Sequence, residues 1–327
     1  MTGLRWGILA TGGIAAAFAS DLRTEGLALQ AVGSRSAASA QAFAERFDIA
    51  RAHASYEELA ADPDIDIVYV ATPHPMHHEN ARMLLENGKH VLVEKPFTIN
   101  RAEAHDLQTL AAERGLLVME AMWTRYLPHM VRIREIVAAG TLGELRSMHA
   151  DHTQSLPVDP AHRINALELG GGALLDLGIY PLSFICDVLG VPTGIRALAT
   201  LGETGADTEV GTVMLHEGGA VSTSLSSSRG AGANTATIVG TKARIDVDRV
   251  WYTPTSFRVT SADGTVLEEY DGSIPAGRGM QFQAFAAERL VASGSWAGDI
   301  LPIAESVAIM GVLDDIRAQI GLKYPGE

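Results

Sequence analysis

The sequence has few cysteines, few basic residues and no long apolar runs, and each absence excludes a class of protein. Its 327 residues include one cysteine, Cys186, which excludes an internal disulfide framework and is usual in the reducing cytoplasm. The formal net charge of −14 argues against nucleic acid or an anionic membrane as a partner. No apolar run approaches the roughly eighteen residues that span a bilayer. We therefore expect a cytoplasmic protein that binds small molecules.

The chain is too long for one typical core. The pattern of predicted elements changes after about its first third. Residues 1–121 alternate apolar strands with amphipathic helices, which predicts an α/β, Rossmann-type, doubly wound parallel sheet. Residues 122–327 contain short strands separated by glycine turns, which predicts an α+β domain with an open, mainly antiparallel sheet. Helices predicted within 281–321 can pack back on the first domain.

The stretch GILATGGIAAAFAS, residues 7–20, has two interpretations. Arg5 followed by an apolar stretch and the A-x-A-like AFA is similar to a secretion signal. However, three glycines interrupt the apolar region, and the helical pattern continues beyond Ser20. The second interpretation, a dinucleotide-binding turn, is therefore favoured over export.

As a nucleotide turn this stretch is imperfect, because the G-x-G-x-x-G pattern falls on ATGGIA. Gly12 occupies the second position and Ala15 the third, but Ala10 replaces the first glycine. Phosphates are expected at the following helix N-terminus, where free N–H groups favour anions. The alternative is a tight turn without a ligand. The predicted cofactor contacts of this loop are Ala10, Thr11, Gly12, Gly13 and Ile14.

The second predicted strand ends in AVGSRS, without a carboxylate. An NAD site usually places Asp or Glu there, whereas an NADP site accommodates a cation beside the 2′-phosphate. Ser34 and Arg35 lie about twenty residues after Gly12, the expected reach for this contact. We predict NADP as the cofactor, with NAD as the alternative; a solvated surface arginine is the other interpretation of Arg35.

Two further stretches place chemically active residues together. VLVEKPFT places Glu94 and Lys95 at the C-terminal end of a predicted strand, the edge where α/β sheets bind ligands. GGGALLDLGIYPL places Asp176 and Tyr180 four residues apart, on one face if the segment is helical. Pro181 then predicts a kink or break in that helix.

These motifs, with GTLGEL between them, resemble the glucose–fructose oxidoreductase/inositol dehydrogenase/MocA family over essentially the whole chain. RWGIL, SYEEL, EAMWTRY and GIY are most similar to its dihydrodiol dehydrogenase and NADP-dependent xylose dehydrogenase branch. The resemblance implies a Rossmann domain and a C-terminal domain whose open sheet packs against a partner's sheet in many members. It therefore implies a homodimer or tetramer, and it allows a small residue at the first glycine position.

The resemblance also implies roles for the motif residues. Lys95 is expected to reach the nicotinamide ribose and the reacting hydroxyl, and Asp176 to lie near the substrate. Position 180 is histidine in much of the family, but it is tyrosine here. An unperturbed tyrosine is a poor base, but a nearby ammonium favours the phenolate. Tyr180 assisted by Lys95 is thus predicted as the general acid/base for hydride transfer between the nicotinamide and a sugar, polyol or cyclic trans-diol.

Weaker candidates follow other predicted elements, and structural roles remain the alternative for each. After the third major strand, Thr72, Pro73 and His74 are predicted to line the nicotinamide pocket and His77 the substrate side. No metal is expected, because these histidines lack a matching carboxylate or cysteine set. The remaining predicted cofactor or substrate contacts are Trp123, Arg125, Tyr126, Arg163 and Asn165.

Two other function classes stay open at this point. One is a glycosidase that oxidises, eliminates and re-reduces with bound NAD on the same fold. The other is a non-catalytic regulator that binds NADP. Arg35 argues against the first and the combination of Lys95, Asp176 and Tyr180 against the second.

Overall fold

The computed structural model describes residues 3–327, which divide into two compact units. The first unit contains the chain up to Tyr126 together with Pro275–Val307, and the second contains Leu127–Ile274 and Ala308–Glu327. The sequence-based boundary lies at 121/122, and the late segment of the first unit includes part of the region 281–321 that was expected to pack back on the first domain. The two units are described separately.

The first unit is built on a six-stranded parallel sheet, which confirms the predicted Rossmann-type fold. Its strand order is β3-β2-β1-β4-β5-β6, so the order reverses between β1 and β4. Ligands of such sheets bind beyond the carboxyl ends of the strands at this reversal. The strands are β1 (Trp6–Leu9), β2 (Leu29–Gly33), β3 (Arg51–His53), β4 (Ile67–Val70), β5 (His90–Glu94) and β6 (Val118–Ala121).

Local signals explain where the helices around this sheet begin and end. The hydroxyl of Ser36 accepts from the Ser39 N–H at 3.3 Å and caps one helix. Gly115 ends another helix with φ of 62°, a conformation that favours glycine. The helices are α1 (Gly13–Thr24), α2 (Ala37–Phe47), α3 (Tyr56–Ala61), α4 (His77–Glu86), α5 (Arg101–Arg114) and α8 (Gln281–Ser293).

The late segment of the first unit is anchored by a buried carboxylate. Asp21 of α1 accepts from the N–H groups of Arg278, at 2.9 and 3.0 Å, and Met280, at 2.9 Å. Trp6 of β1 also donates to Glu288 of α8 at 3.1 Å. These contacts join the ends of the unit's sequence, which local patterns do not reveal.

The second unit contains an eight-stranded sheet, and its mainly antiparallel arrangement confirms the prediction. The order is β14-β13-β12-β11-β7-β10-β9-β8, with one parallel pair, β7 and β10. The strands are β7 (Leu145–Thr153), β8 (Gly194–Leu201), β9 (Asp207–Leu215), β10 (Val221–Ser227), β11 (Ala236–Gly240), β12 (Ala243–Val247), β13 (Phe257–Ser261) and β14 (Val266–Tyr270).

One apolar helical segment packs against this sheet. It contains a π-helical turn at Leu174–Gly178 and continues as α7 (Ile179–Leu189). The stretch Leu167–Leu189 is long and apolar enough to cross a membrane, so the expectation that no run approaches that length was wrong. Because 83% of an apolar 18-residue window within it is buried in the fold, it is a core element. The other helices are α6 (Pro128–Ala138) and α9 (Ile303–Ile320), which the unit boundary divides after Val307.

Candidate active site

The predicted nucleotide turn joins β1 to α1 in the first unit. Ala10, at the first glycine position, has φ of +91°, a conformation that favours glycine; its N–H donates to Gly33 O at 2.9 Å. Gly12 is the N-cap of α1 and supplies no side-chain cap. A Cβ built at Gly12 or Gly13 would meet nothing within 4 Å. The turn, which also contains Thr11 and leads into Ile14, is open enough for a pyrophosphate at a helix N-terminus.

The end of β2 places Ser34 and Arg35 differently. Ser34 is buried, and its hydroxyl accepts from the Ser36 N–H at 3.3 Å. Arg35 is exposed, and none of the carboxylates that the structure describes lies within ion-pair distance of it. A guanidinium without a carboxylate partner at this position can bind a 2′-phosphate. The turn and Arg35 together therefore fit an NADP molecule.

The end of β5 carries the predicted EKP residues. Glu94 is buried, and burial raises the pKa of its carboxyl to about 7, although Lys95 and Arg278 oppose this shift. The Tyr69 hydroxyl donates to one Glu94 oxygen, and the Lys95 N–H donates to the other at 3.2 Å. Lys95 is half-buried at the carboxyl edge of the sheet, where a reacting group is expected.

The residues after β4 make contacts that stabilise this edge of the sheet. His77 is fully buried, and its ring nitrogens lie 2.9 Å from Pro96 O and 2.8 Å from Thr72 O. Burial lowers the His77 pKa, and a neutral ring donates one of these contacts. His77 thus ties the end of β4 to the turn after β5. We do not retain it as a substrate contact.

The neighbouring candidates lie in the same turn. Thr72 is buried, and its hydroxyl accepts from the Asn80 amide at 3.1 Å. Pro73 is exposed and precedes a 3-10 turn that begins at His74, whose ring packs edge-on to that of His77. Of these residues, Pro73 is the most accessible to a ligand.

After β6, a 3-10 turn at Trp123–Tyr126 buries all four of its side chains. Arg125 is ion-paired with Glu305 at 2.5 Å, so its charge has a partner within the first unit. The guanidinium of Arg278 lies over the Trp123 ring, 5.2 Å from its centre. Arg278 is exposed, and sequence reasoning missed it because its segment returns to this unit from far along the chain.

In the second unit, Asp176 and Tyr180 lie on the buried helical segment as the spacing predicted. Asp176 is 5% exposed and is ion-paired with Arg163 at 3.0 Å. Arg163 is largely exposed, so the ion pair connects a buried carboxylate to the solvent-exposed surface. A buried carboxylate whose ion-pair partner is exposed can accept hydrogen bonds from substrate hydroxyls when that partner moves.

Asn165, the other predicted hydroxyl-binding residue, is committed to its own loop. Its amide nitrogen donates to Pro157 O and Asp159 O at 2.9 and 2.7 Å. Its amide oxygen accepts from Arg229 at 2.7 Å. Because these contacts use both ends of the amide, Asn165 shapes the loop, and we do not retain it as a substrate contact.

Tyr180 belongs to an aromatic cluster that the sequence did not indicate. Its ring packs edge-on to His152, with ring centres 4.8 Å apart, and 5.5 Å from Tyr252. His152 stacks on Tyr252 at 3.7 Å. These rings come from β7 and from the loop before β13, so only the folded sheet brings them to Tyr180. The cluster holds the phenol ring on two sides.

Comparison with known proteins decides the family. Residues 4–122 match the model of an oxidoreductase family with an NAD-binding Rossmann fold, and residues 130–246 match the GFO/IDH/MocA C-terminal domain. The chain belongs to the GFO/IDH/MocA oxidoreductase family. This membership confirms the resemblance and shows that the chain is an NAD(P)-binding oxidoreductase.

Several members of the family are similar over their whole length. The chain is 34% identical to the trans-1,2-dihydrobenzene-1,2-diol dehydrogenase of Bos taurus over 98% of both chains. It is 35% identical to the D-xylose 1-dehydrogenase (NADP(+)) of Hypocrea jecorina, over 98% of this chain and 93% of that one. KijD10, a 3-ketoreductase from Actinomadura kijaniata solved with NADP and TDP-benzene, superposes with a TM-score of 0.85 and 26% identity, over 97% and 98% of the chains.

No group of three or more potential metal ligands occurs within residues 3–327. Lys95, Asp176 and Tyr180 remain the candidate catalytic residues. Each is an acid, base or charge located at a strand end or on a buried helix of its own unit.

Proposed function

We propose that the protein is an NADP-dependent dehydrogenase that oxidises a hydroxyl-bearing carbon of a sugar, polyol or cyclic trans-diol, or reduces the corresponding carbonyl. The observation that carries this proposal is the placement of Asp176 and Tyr180 together on one buried helical segment of a family oxidoreductase. The named activities of the diol and xylose dehydrogenases support the substrate class.

The proposed chemistry assigns a proton step to Tyr180. When bound, NADP supplies the hydride acceptor and NADPH the donor. Tyr180 accepts the proton of the substrate hydroxyl through its phenol oxygen during oxidation and returns it during reduction. Lys95 supplies the positive charge that favours the phenolate. Asp176 accepts a hydrogen bond from a substrate hydroxyl and orients the reacting carbon.

A lysine and a tyrosine have also been substituted in a structural relative. KijD10 has also been solved as a lysine-to-alanine and as a tyrosine-to-phenylalanine variant, each with NADP and TDP-benzene. A lysine and a tyrosine are the residue types that we assign here to Lys95 and Tyr180.

Substitution of Tyr180 tests the proton step. Tyr180→Phe keeps the ring packing on His152 and Tyr252 but removes the transferable proton, so we expect kcat to fall by at least about 100-fold. The NADP dissociation constant should change less than twofold. NADPH fluorescence with a panel of aldoses, inositols and cyclic diols measures turnover, and calorimetric titration with NADP measures the dissociation constant. Full turnover in this variant would contradict the role, and aglycone release without net NADPH change would favour the glycosidase alternative.

Substitution of Arg35 tests the cofactor preference. Arg35→Ala removes the unpaired guanidinium at the end of β2, so the KM for NADP should rise by about tenfold or more, while the KM for NAD changes little. Arg101→Ala, at the start of α5, serves as a control for loss of positive charge from the same unit. An unchanged ratio of the two KM values would refute the preference for NADP.

We also propose that the protein forms a homodimer or tetramer through one face of the second unit's sheet. Alternate residues of β9 and β10 are buried, and four of the seven intervening positions carry valine or leucine, beside Glu209, Gly211 and Thr223. Val213, Leu215, Val221 and Leu225 are 41–51% exposed, and Leu198 of β8 is 84% exposed. A contiguous apolar face of this kind usually marks an interaction surface.

A further inference from the structure

The helical segment that carries Asp176 and Tyr180 is capped by a residue from another strand. Its N-cap, Ala173, has no side chain able to cap the first free N–H groups. Asp207, at the start of β9, accepts from the Leu174 N–H through Oδ2 at 2.6 Å. Asp207 is 1% exposed. A buried carboxylate of the sheet therefore determines where this helix begins.

The turn before the helix is shaped to admit that carboxylate. Gly172 has φ of +131°, and a Cβ there would lie 2.1 Å from Asp207 Oδ1 and 3.3 Å from the Tyr324 hydroxyl oxygen. The Tyr324 hydroxyl donates to Gly171 O at 2.8 Å. The turn is thus held by Asp207 and by Tyr324. Both residues lie far from it in the sequence.

Tyr324 is itself fixed by a second set of contacts after α9. Its N–H donates to Glu327 Oε2 at 3.0 Å. Both terminal nitrogens of Arg317 donate to the Glu327 carboxylate, at 2.6 and 2.9 Å. The Arg317 guanidinium lies over the Tyr324 ring, 5.2 Å from its centre. This bidentate pair prevents the tyrosine from swinging away from the turn.

We propose that Asp207 and Tyr324 are positioning residues for the reaction, because together they fix the register and rotation of the segment carrying Asp176 and Tyr180. This inference rests on the proposed function of those two residues. The π-helical turn at Leu174–Gly178 lies between the cap and Tyr180, so a shift at the cap moves the phenol ring. A displacement of about 1 Å at a reacting group can cost about 100-fold in rate.

Conservative variants with matched controls test the proposal. Asp207→Asn weakens the cap, and Tyr324→Phe removes the hydroxyl that reaches Gly171. Glu209→Gln is the control for the first, because this carboxylate of the same strand bonds Thr208 and Ser227 instead of the helix. Tyr270→Phe is the control for the second, because Tyr270 stacks on Phe257 away from the turn. All are measured in the full chain.

For the two test variants we expect kcat to fall at least tenfold, while the NADP dissociation constant changes less than threefold. Amide hydrogen exchange in peptides covering residues 172–180 should accelerate at least tenfold, and the controls should match wild type in both measurements. Tm is recorded for all five proteins. If kcat decreases in proportion to Tm in the test variants and in the control variants, Asp207 and Tyr324 have a merely structural role.

The proposal is overturned if folded Asp207→Asn and Tyr324→Phe retain wild-type kcat and wild-type exchange. It is also overturned if exchange accelerates but kcat does not fall. Failure of the proposed function is distinguishable, because it is read from full turnover in Tyr180→Phe, whereas the exchange of residues 172–180 reports on the cap independently of turnover.

Discussion

Two residues of this protein occupy a conformation or an environment that is unusual for their type. Ala10 adopts a conformation that favours glycine, and Glu94 is buried although carboxylates are rarely buried without a charged partner. At Glu94 the Tyr69 hydroxyl and the Lys95 N–H supply hydrogen bonds in place of water. The carboxyl adjoins the candidate catalytic lysine, so its protonation state matters to that site.

Glu94 makes stability depend on pH in a defined direction. Its pKa in the folded protein is about 7, against 4.5 for the ordinary carboxyl, because of burial. A raised folded pKa contributes stability that is fully present below about pH 4.5 and is lost as pH rises through about 7. The shift corresponds to about 3 kcal/mol.

Comparison of wild type with Glu94→Gln by urea unfolding from pH 4 to 8 isolates this effect. The free energy of unfolding of wild type relative to the variant should fall across that range, by an amount on the order of 3 kcal/mol. A constant difference between the two proteins would contradict the raised pKa.

At the scale of elements, the first unit depends on a contact that crosses the chain. The carboxylate of Asp21 holds the turn that precedes α8, and this turn presents Arg278 over Trp123. The second unit contains a similar contact, in which Asp207 caps the helical segment that carries Tyr180. In both units a buried carboxylate from a distant element binds backbone N–H groups and determines where a helix starts.

The contacts of Asp21 should contribute measurably to the stability of the first unit. Asp21→Ala leaves the Arg278 and Met280 N–H groups without their acceptor, so the free energy of unfolding should fall by about 1–3 kcal/mol. Glu113→Ala, which removes an exposed carboxylate from α5, should change it by less than about 0.5 kcal/mol. Urea unfolding measures both. Equal effects of the two substitutions would show that the anchor contributes nothing specific.

At the scale of the whole molecule, sequence patterns located those parts of the fold and site that depend on neighbouring residues. Strand–helix alternation predicted the parallel sheet, and helical spacing predicted that Asp176 and Tyr180 share one helical segment. Asp207 and Tyr324 escaped prediction because they lie 33 and 153 residues from their partners. His77 illustrates the opposite error. A histidine near a strand end is similar to a ligand-binding residue until the fold shows that backbone carbonyls occupy both ring nitrogens.

The last prediction concerns assembly through the apolar sheet face. If a second copy covers this face, Leu198→Glu places a charge opposite apolar side chains, and an unpaired charge is costly to bury. We expect sedimentation velocity to give wild type at twice or four times the monomer mass and the variant at the monomer mass. Val158→Glu is the matched control, because Val158 is 73% exposed but lies in a loop outside the sheet. A monomeric wild type, or dissociation by both substitutions alike, would remove the sheet face as the interface.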